Sequence, residues 1–192
     1  PLEAGAGWVV LIGRQHPPEL PGADAFDGFF ETALALRAEG RWREGLIAIP
    51  LLNPDGVEAG HWRTNAAGVD LNRDWAALSQ PETRAAAALI EAVAGPEGLR
   101  LMADFHATRS DLLYWPQDAF MSEAAASRMA CWRAALETAG VLDAMRLRQT
   151  RSATPVNAKA VFTDRGVPAL TWEAGDDTPA AVSRRLAAAG AQ

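Results

Sequence analysis

The chain has 192 residues, of which 49% are hydrophobic and 22% are charged, and this fits one globular domain with a sizeable core. We expect a single domain over residues 1–192, open to extension at either end because Pro1 is not an initiator methionine. The net charge is −6, without a large Lys/Arg cluster, which disfavours nucleic acid and anionic membranes as partners. No apolar run approaches the roughly 18 residues of a membrane span. The single Cys131 excludes an internal disulfide framework, so the fold does not rely on an oxidising compartment. We expect a cytoplasmic location and leave open a cleaved signal before Pro1.

Short apolar runs predict buried strands, and apolar residues at helical spacing predict helices between them. In chain order the elements are a strand at 8–13, a helix at 24–39, a strand at 46–52, a helix at 81–93, strands at 99–105 and 112–115, a helix at 122–139, a strand at 167–172 and a helix at 179–189. This alternation predicts an α/β fold, a three-layer α/β/α domain with a mixed, largely parallel central sheet and its site at the strand ends.

One long segment has no predicted element. Asn53-Pro54-Asp55-Gly56 is a strong turn signal after the second strand. The residues that follow, 56–78, are rich in Asn, Asp, Gly and Arg and show no periodicity. Long loops inside compact domains are usually functional, so we expect this one to contribute to a site.

Polar side chains follow three of the predicted strands. His16 and Glu19 come after the first, His106 after the third, and Glu173 after the last. A catalytic zinc takes three protein ligands from His and carboxylate and leaves a fourth position for water. His16, Glu19 and His106 are candidate ligands, and Glu173 is then left to accept a proton. The His-x-x-Glu spacing alone is weak evidence for metal binding. His106, considered without its context, would be interpreted as a structural histidine. The placement at strand ends supports a metal site.

The long loop adds a resemblance. Its segments Asn53-Pro54-Asp55-Gly56, Arg63-Thr64-Asn65 and Gly68-Val69-Asp70-Leu71-Asn72-Arg73-Asp74-Trp75 stand between the His-x-x-Glu and Asp-Phe-His segments. In this order they closely resemble the zinc carboxypeptidases, also called funnelins, from about Trp8 to Asp177. The resemblance implies a hydrolase with one Zn²⁺ per chain that cuts a C-terminal peptide bond through a zinc-activated water.

The resemblance also implies roles for single residues. The zinc ligands are His16, Glu19 and His106, and Glu173 is the general base and acid. Arg63 polarises the scissile carbonyl and stabilises the oxyanion, and a donor in this position is worth about 3 kcal/mol.

Three further residues are implied to act on the substrate or the metal. Asn72 and Arg73 grip the terminal carboxylate of the substrate, since a guanidinium recognises a carboxylate with two hydrogen bonds. Asp70 is the carboxylate behind the first zinc histidine and fixes its tautomer.

The motif around the first histidine departs from the digestive-type members of the family. Pro18 stands where many of them have an arginine, and His-Pro-Pro-Glu is more similar to the His-Pro-Gly-Glu of the cytosolic carboxypeptidase branch, which trims acidic tails. We add the hypothesis that Arg146, Arg148 and Arg151 favour an acidic C-terminal side chain.

The substrate-capping tyrosine of the family has no counterpart between residues 146 and 162. Either Asn157 or Lys159 is then expected to close over the substrate, or this closure is absent. The single tyrosine, Tyr114, follows His106 and is interpreted as structural. His61, beside Trp62 and Arg63, is interpreted as an exposed loop histidine.

Three functions therefore remain open. The first is a metallocarboxypeptidase acting on peptides. The second keeps the metal but hydrolyses a small N-acyl amino acid, as in the related desuccinylase and aspartoacylase branch. The third, an inactive binding module, is disfavoured because the three ligands and Glu173 are all retained.

Overall fold

Six strands form one mixed sheet in the computed structural model, which describes residues 7–95, 98–150 and 156–192. The strands are β1 (Trp8–Gly13), β2 (Gly45–Ile49), β3 (Leu99–Thr108), β4 (Leu112–Trp115), β5 (Arg146–Gln149) and β6 (Ala169–Gly175). Their order across the sheet is β2-β1-β3-β6-β4-β5. Only β4 and β6 pair antiparallel among these strands. The predicted α/β fold with a mixed, largely parallel sheet is confirmed.

Helices cover both faces of this sheet. They are α1 (Leu20–Ala38), α2 (Pro54–Glu58), α3 (Pro81–Ala94), α4 (Glu123–Thr138), α5 (Val141–Ala144), α6 (Ala158–Asp164) and α7 (Ala180–Ala191). Side chains of α1, α4 and α7 share one buried cluster, and those of α3 and α6 share the other. Within the described residues, no helix is both long and apolar enough to cross a membrane.

Alternation along the strands divides the core between the two faces. Val9 and Leu11 of β1 belong to the cluster under α1, whereas Val10 and Ile12 belong to the opposite one. Successive side chains of a strand point to opposite faces, so a strand buried on both sides needs a continuous apolar run. By the same alternation, the side chains of Phe105 and Trp172 point towards α1. The residues directly before and after them on each strand point to the opposite face of the sheet.

Several element boundaries differ from the prediction. Helix α1 begins at Leu20, four residues before the predicted start, because Pro21 is tolerated in a first helical turn. The predicted turn at Asn53 is the capped start of the short helix α2. A 3₁₀ turn at Leu71–Arg73 also interrupts the loop. Strands β3 and β6 run on to Thr108 and Gly175, so two predicted site residues lie inside strands.

Besides the short helices α2 and α5 and the 3₁₀ turn, strand β5 and helix α6 were not predicted. Strand β5 has Leu147 between two arginines, and helix α6 is only seven residues long. A short edge strand with charged side chains carries little of the hydrophobic signal from which strands are recognised. Both elements nevertheless contribute to the site described below.

Two glycines let α1 approach its neighbours closely. A Cβ on Gly22 would lie 2.6 Å from the backbone of His106, and one on Gly28 would overlap the backbone of Arg184 in α7. The start of α1 therefore lies directly against β3 at the predicted metal ligand.

Gly28→Ala tests this close approach through the sign of the change in the free energy of unfolding. Helix propensity alone predicts stabilisation by about 1 kcal/mol. Overlap with Arg184 predicts the opposite, a loss of about 1–3 kcal/mol in the free energy of unfolding. Urea unfolding measures the difference. Ala35→Ser, which also adds one heavy atom but on the exposed side of α1, should stay within about 0.5 kcal/mol of the parent. A Gly28→Ala chain more stable than the parent would contradict the packing.

Candidate active site

Two histidines and a glutamate meet at the carboxyl ends of β1 and β3. Oε1 of Glu19 lies 2.7 Å from Nδ1 of His16, and Oε2 of Glu19 lies 2.7 Å from Nδ1 of His106. One ligand atom from each residue fits within 4.8 Å of the others. Two imidazole nitrogens and a carboxylate are the donors of many catalytic zinc sites, so the chemistry of this set fits the metal that the sequence implies.

The loop after β1 has an unusual backbone that holds two of these residues together. Arg14 adopts a left-handed φ of 52°, and its guanidinium donates to the carbonyl of Pro17 at 2.6 Å. The backbone N–H of Glu19 donates to the carbonyl of His16 at 3.4 Å. Left-handed backbone is uncommon for residues other than glycine and is often found at functional sites. It turns His16 and Glu19 to the same side.

A second carboxylate lies behind each histidine. Nε2 of His16 is 3.0 Å from Oδ1 of Asp70, and Nε2 of His106 is 2.9 Å from Oδ2 of Asp104. An ionised carboxylate only accepts hydrogen bonds, so Nε2 keeps its proton and Nδ1 is the nitrogen available to a metal. The sequence assigned this role to Asp70 but missed Asp104. The available signal was its position two residues before His106 on one strand, which puts both on one face.

The charges of this cluster shift its ionisation. Burial alone would lower the pKa of His106, but the charge and hydrogen bond of Asp104 raise it well above its usual value. Burial also opposes ionisation of Glu19, but hydrogen bonds from His106 and His16 lower its pKa to about 2. Glu19 is therefore fully ionised at neutral pH, as a metal ligand must be.

Seven of the eight predicted site residues line one cavity of about 440 Å³. They are His16, Glu19, Arg63, Asn72, Arg73, His106 and Glu173. The eighth, Asp70, lies behind His16 rather than on the wall. The folded chain thus brings together residues that the sequence places up to 157 positions apart, from His16 to Glu173.

Arg63 reaches this cavity from the long loop. Its Nε donates to Oδ2 of Asp70 at 2.7 Å, and its side chain is 44% exposed. The turn that carries it is held by His61, whose Nδ1 lies 3.3 Å from the carbonyl oxygen of Thr64 and 3.1 Å from that of Asn65. His61 is therefore half-buried and structural, where the sequence predicted an exposed loop histidine.

Asn72 and Arg73 share the 3₁₀ turn that Asp70 caps. Oδ1 of Asp70 accepts from the backbone N–H of Asn72 at 2.9 Å. The amide nitrogen of the Asn72 side chain lies 3.3 Å from Nε2 of His106, and the guanidinium of Arg73 donates to the carbonyl of Asn72 at 2.8 Å. One carboxylate thus orients a histidine, an arginine and the turn that carries two polar groups to the cavity wall.

Glu173 lies beside the donor set on the next strand. It pairs in register with His106 across β3 and β6, so both side chains leave the same face of the sheet. Burial raises the pKa of Glu173 to about 6, although the charge of His106 opposes the shift. Its carboxylate has no hydrogen-bond partner among the described residues, so both oxygens remain available to a water molecule.

The remaining wall of the cavity is polar and cationic. Tyr114, Arg148, Thr150, Asn157 and Lys159 contribute to it, so Tyr114, interpreted from the sequence as structural, also faces the site. Lys159 is buried and donates to the carbonyl of Thr150 at 2.8 Å.

Of the three arginines expected to select an acidic side chain, one faces this wall. Arg148 lines the cavity, whereas Arg146 on the same strand does not. Arg151 lies outside the described residues.

A sequence model described as zinc carboxypeptidase matches residues 9–172 of this chain. The chain belongs to the zinc carboxypeptidase family. Human cytosolic carboxypeptidase-like protein 5 is 42% identical over 76 residues, 38% of this chain and 9% of that protein. Zebrafish cytosolic carboxypeptidase 2 is 41% identical over 73 residues, 36% of this chain and 10% of that protein. The resemblance to the family and to its cytosolic branch is thus confirmed, although the matches span a small part of these relatives.

Solved members of the zinc carboxypeptidase family share the fold. The metallo-carboxypeptidase of Burkholderia cenocepacia superposes with a TM-score of 0.82 at 22% identity and covers all of this chain, which spans 57% of that protein. The metallo-carboxypeptidase of Pseudomonas aeruginosa in complex with (2-guanidinoethylmercapto)succinic acid gives 0.76 at 23% identity, over 98% of this chain and 56% of that protein.

Zinc binding tests the donor set. We expect the 192-residue chain to bind one Zn²⁺, measured by competition with a chromophoric chelator. His106→Ala should weaken zinc more than the roughly 100-fold that loss of an outer partner costs. His61→Ala is the matched control, since this third histidine bonds only backbone carbonyls, and it should bind zinc as the parent does. Equal weakening by the two variants would refute the assignment.

Proposed function

We propose that this chain is a zinc metallocarboxypeptidase that hydrolyses the C-terminal peptide bond of a peptide, with His16, Glu19 and His106 holding one zinc ion. The main support is the half-buried carboxylate of Glu173, which has no hydrogen-bond partner among the described residues and lies beside the donor set in a cavity that also holds Arg73. The family and the solved metallo-carboxypeptidases whose fold the chain shares are consistent with this chemistry.

The proposed reaction needs a nucleophile, a base and an oxyanion donor. Zinc, when bound, supplies a Lewis acid that lowers the pKa of a water molecule to about 7. Glu173 accepts a proton from the attacking water and delivers it to the nitrogen of the leaving amino acid. A carboxyl pKa of about 6 suits both directions of transfer near neutral pH. Arg63, oriented by Asp70, donates to the oxyanion that develops on the scissile carbonyl.

Two groups of the wall would limit the enzyme to chain ends. The guanidinium of Arg73 and the amide of Asn72 can bind the free carboxylate of the substrate, and both lie on the turn next to His106. In this proposal, a carboxylate bound there presents the last peptide bond of the substrate to Glu173, which limits the enzyme to exopeptidase action.

The cationic wall supports the hypothesis of an acidic C-terminal side chain. Arg148 and Lys159 line the cavity, and the ammonium of the buried Lys159 has one carbonyl partner among the described residues, which leaves further N–H donors for a ligand. The relatives named cytosolic carboxypeptidases support the same branch and a cytoplasmic location as part of the proposal.

The second candidate, hydrolysis of a small N-acyl amino acid, uses the same metal set. The family match and the relatives, which are named carboxypeptidases, do not favour it. A panel of blocked dipeptides and N-acyl amino acids distinguishes the two substrates directly.

Glu173→Gln tests the proposed base. The amide cannot accept the proton, so kcat on a blocked dipeptide should fall by roughly 10²–10⁴-fold, the usual contribution of a general acid–base group. Zinc content, measured in parallel, should stay at the parent level. Glu137→Gln, a surface substitution that removes one carboxylate charge, should leave kcat unchanged. Full residual activity of Glu173→Gln would sink the mechanism.

Lys159→Met and Arg148→Ala test the side-chain preference. Each removes one cation from the wall, so the ratio of kcat/KM for C-terminal Glu over C-terminal Leu should fall by about 10-fold, the size of a lost hydrogen bond to a charged group. Arg146→Ala, on the same strand but off the cavity wall, should leave the ratio unchanged. A parent enzyme that releases Leu faster than Glu would refute the hypothesis.

A further inference from the structure

A buried chain of hydrogen bonds connects the core to one candidate zinc ligand. Nε1 of Trp75 donates to Oε1 of Gln15 at 2.8 Å. Nε2 of Gln15 donates to both oxygens of Asp104, at 2.8 Å each. Oδ2 of Asp104 in turn lies 2.9 Å from Nε2 of His106. The proposed mechanism gives no role to Gln15 or to Trp75, although Trp75 is the last residue of the loop motif.

Burial makes each bond of this chain costly to lose. Gln15 and Asp104 are 0% exposed, and Trp75 and His106 are 2% exposed. A buried carboxylate is tolerated only where donors replace its hydration, and here the donors are the Gln15 amide and the His106 imidazole. By contrast, the side chain of Asp70 behind His16 is 18% exposed and receives Arg63 and a backbone N–H as well.

The donors and acceptors of the chain permit one arrangement. An indole N–H only donates, so Trp75 must face the oxygen of the Gln15 amide. The amide NH₂ is then turned towards Asp104. A flipped amide would set its oxygen against the carboxylate and its NH₂ against the indole N–H, leaving two donors and two acceptors unpaired. Trp75 thus fixes Gln15, Gln15 fixes the carboxylate, and the carboxylate holds the proton on Nε2 of His106.

Asn53 also holds Gln15 in place. Its side-chain amide donates to the backbone carbonyl of Gln15 at 3.1 Å, and its Oδ1 accepts from the backbone N–H of Gly56. Both the backbone and the side chain of Gln15 are therefore held in place. Gln15 does not itself line the cavity, and its Nε2 lies 3.4 Å from Nε2 of His106.

We propose that Gln15 and Trp75 are positioning residues that set the zinc affinity of this chain by holding Asp104 against His106. The inference rests on the zinc site of the proposed function. It adds that three buried side chains, Asp104, Gln15 and Trp75, set the orientation of the His106 imidazole, whose Nδ1 would bind the metal. The last of them, Trp75, belongs to the core on the face of α3 and α6.

The test measures the zinc Kd by chelator competition, with the melting temperature of the apo chain as a separate readout. Gln15→Leu keeps the approximate volume but removes both donors to Asp104, so Kd should rise by about 10–100-fold, as for other outer partners of metal ligands. Trp75→Phe keeps an aromatic ring but removes the donor to Gln15, and Kd should rise by about 10-fold. The double variant should bind no more weakly than Gln15→Leu alone, since the two residues act in series.

Trp115→Phe is the matched control. Trp115 is also 2% exposed but lies in the core on the α1 face, outside the chain of bonds. It should lower the apo melting temperature about as much as Trp75→Phe while leaving the zinc Kd at the parent value. A ¹⁵N NMR spectrum of the zinc-loaded chain adds an independent readout, because the Nε2–H signal of His106 should shift or broaden only in the Gln15 and Trp75 variants.

The outcomes separate the two proposals. If the parent binds no zinc, the proposed function fails and this inference with it. If the parent binds zinc but Trp75→Phe and Gln15→Leu bind it within twofold of the parent, this inference alone is refuted. It is also refuted if Trp115→Phe weakens zinc equally. If Gln15→Leu does not fold, Trp75→Phe decides the question by itself.

Discussion

The parallel pairing of β3 with β6 sets His106 directly beside Glu173, and the geometry of the site depends on this register. Side chains alternate along a strand, so a slip of one residue would turn one of the two towards α1 and separate the proposed metal ligand from the proposed base. Phe105 and Trp172 oppose such a slip, because both are buried under α1 and would have to enter a polar cavity. The hydrophobic core on one face thereby fixes the chemistry on the other.

The two glutamates of the cavity, Glu19 and Glu173, have different pKa values because they have different neighbours. Glu19 faces two imidazoles, whose hydrogen bonds outweigh the cost of burial and lower its pKa to about 2. Glu173 is buried without a donor among the described residues, and its pKa rises to about 6. One carboxylate is therefore a permanent anion, suited to hold a cation, and the other exchanges protons near neutral pH. Environments that separate the pKa values of two like groups are how acid and base roles are divided.

The features that could be predicted from the sequence are those with a local pattern or motif, and contacts between distant residues are not among them. Val9, Val10, Leu11 and Ile12 form a continuous apolar run because their strand is buried on both faces, so β1 was readily recognised. Gln15 and Asp104 are 89 residues apart, and their hydrogen bond exists only once β1 and β3 are adjacent. No spacing within the chain indicates such a partner. Asp104 alone had a local signal, its place two residues before His106 on one strand.

Two of the elements that the sequence missed, β5 and α6, carry Arg148 and Lys159 of the cationic wall. The strands that it found carry His106 and Glu173, and His16 and Glu19 follow the predicted strand β1. This division has a physical origin. The parallel strands β1, β3 and β6 need long apolar runs because helices cover both faces, and those runs are what a sequence shows most clearly. Strand β5 is an edge strand that alternates Arg146 and Arg148 with a single leucine, so its outward face is free to be polar. The cationic wall, to which the proposed function assigns the choice of substrate side chain, is thus built on a segment with few packing constraints. Substitutions there change the charge of the wall and leave in place the pairing that holds His106 beside Glu173.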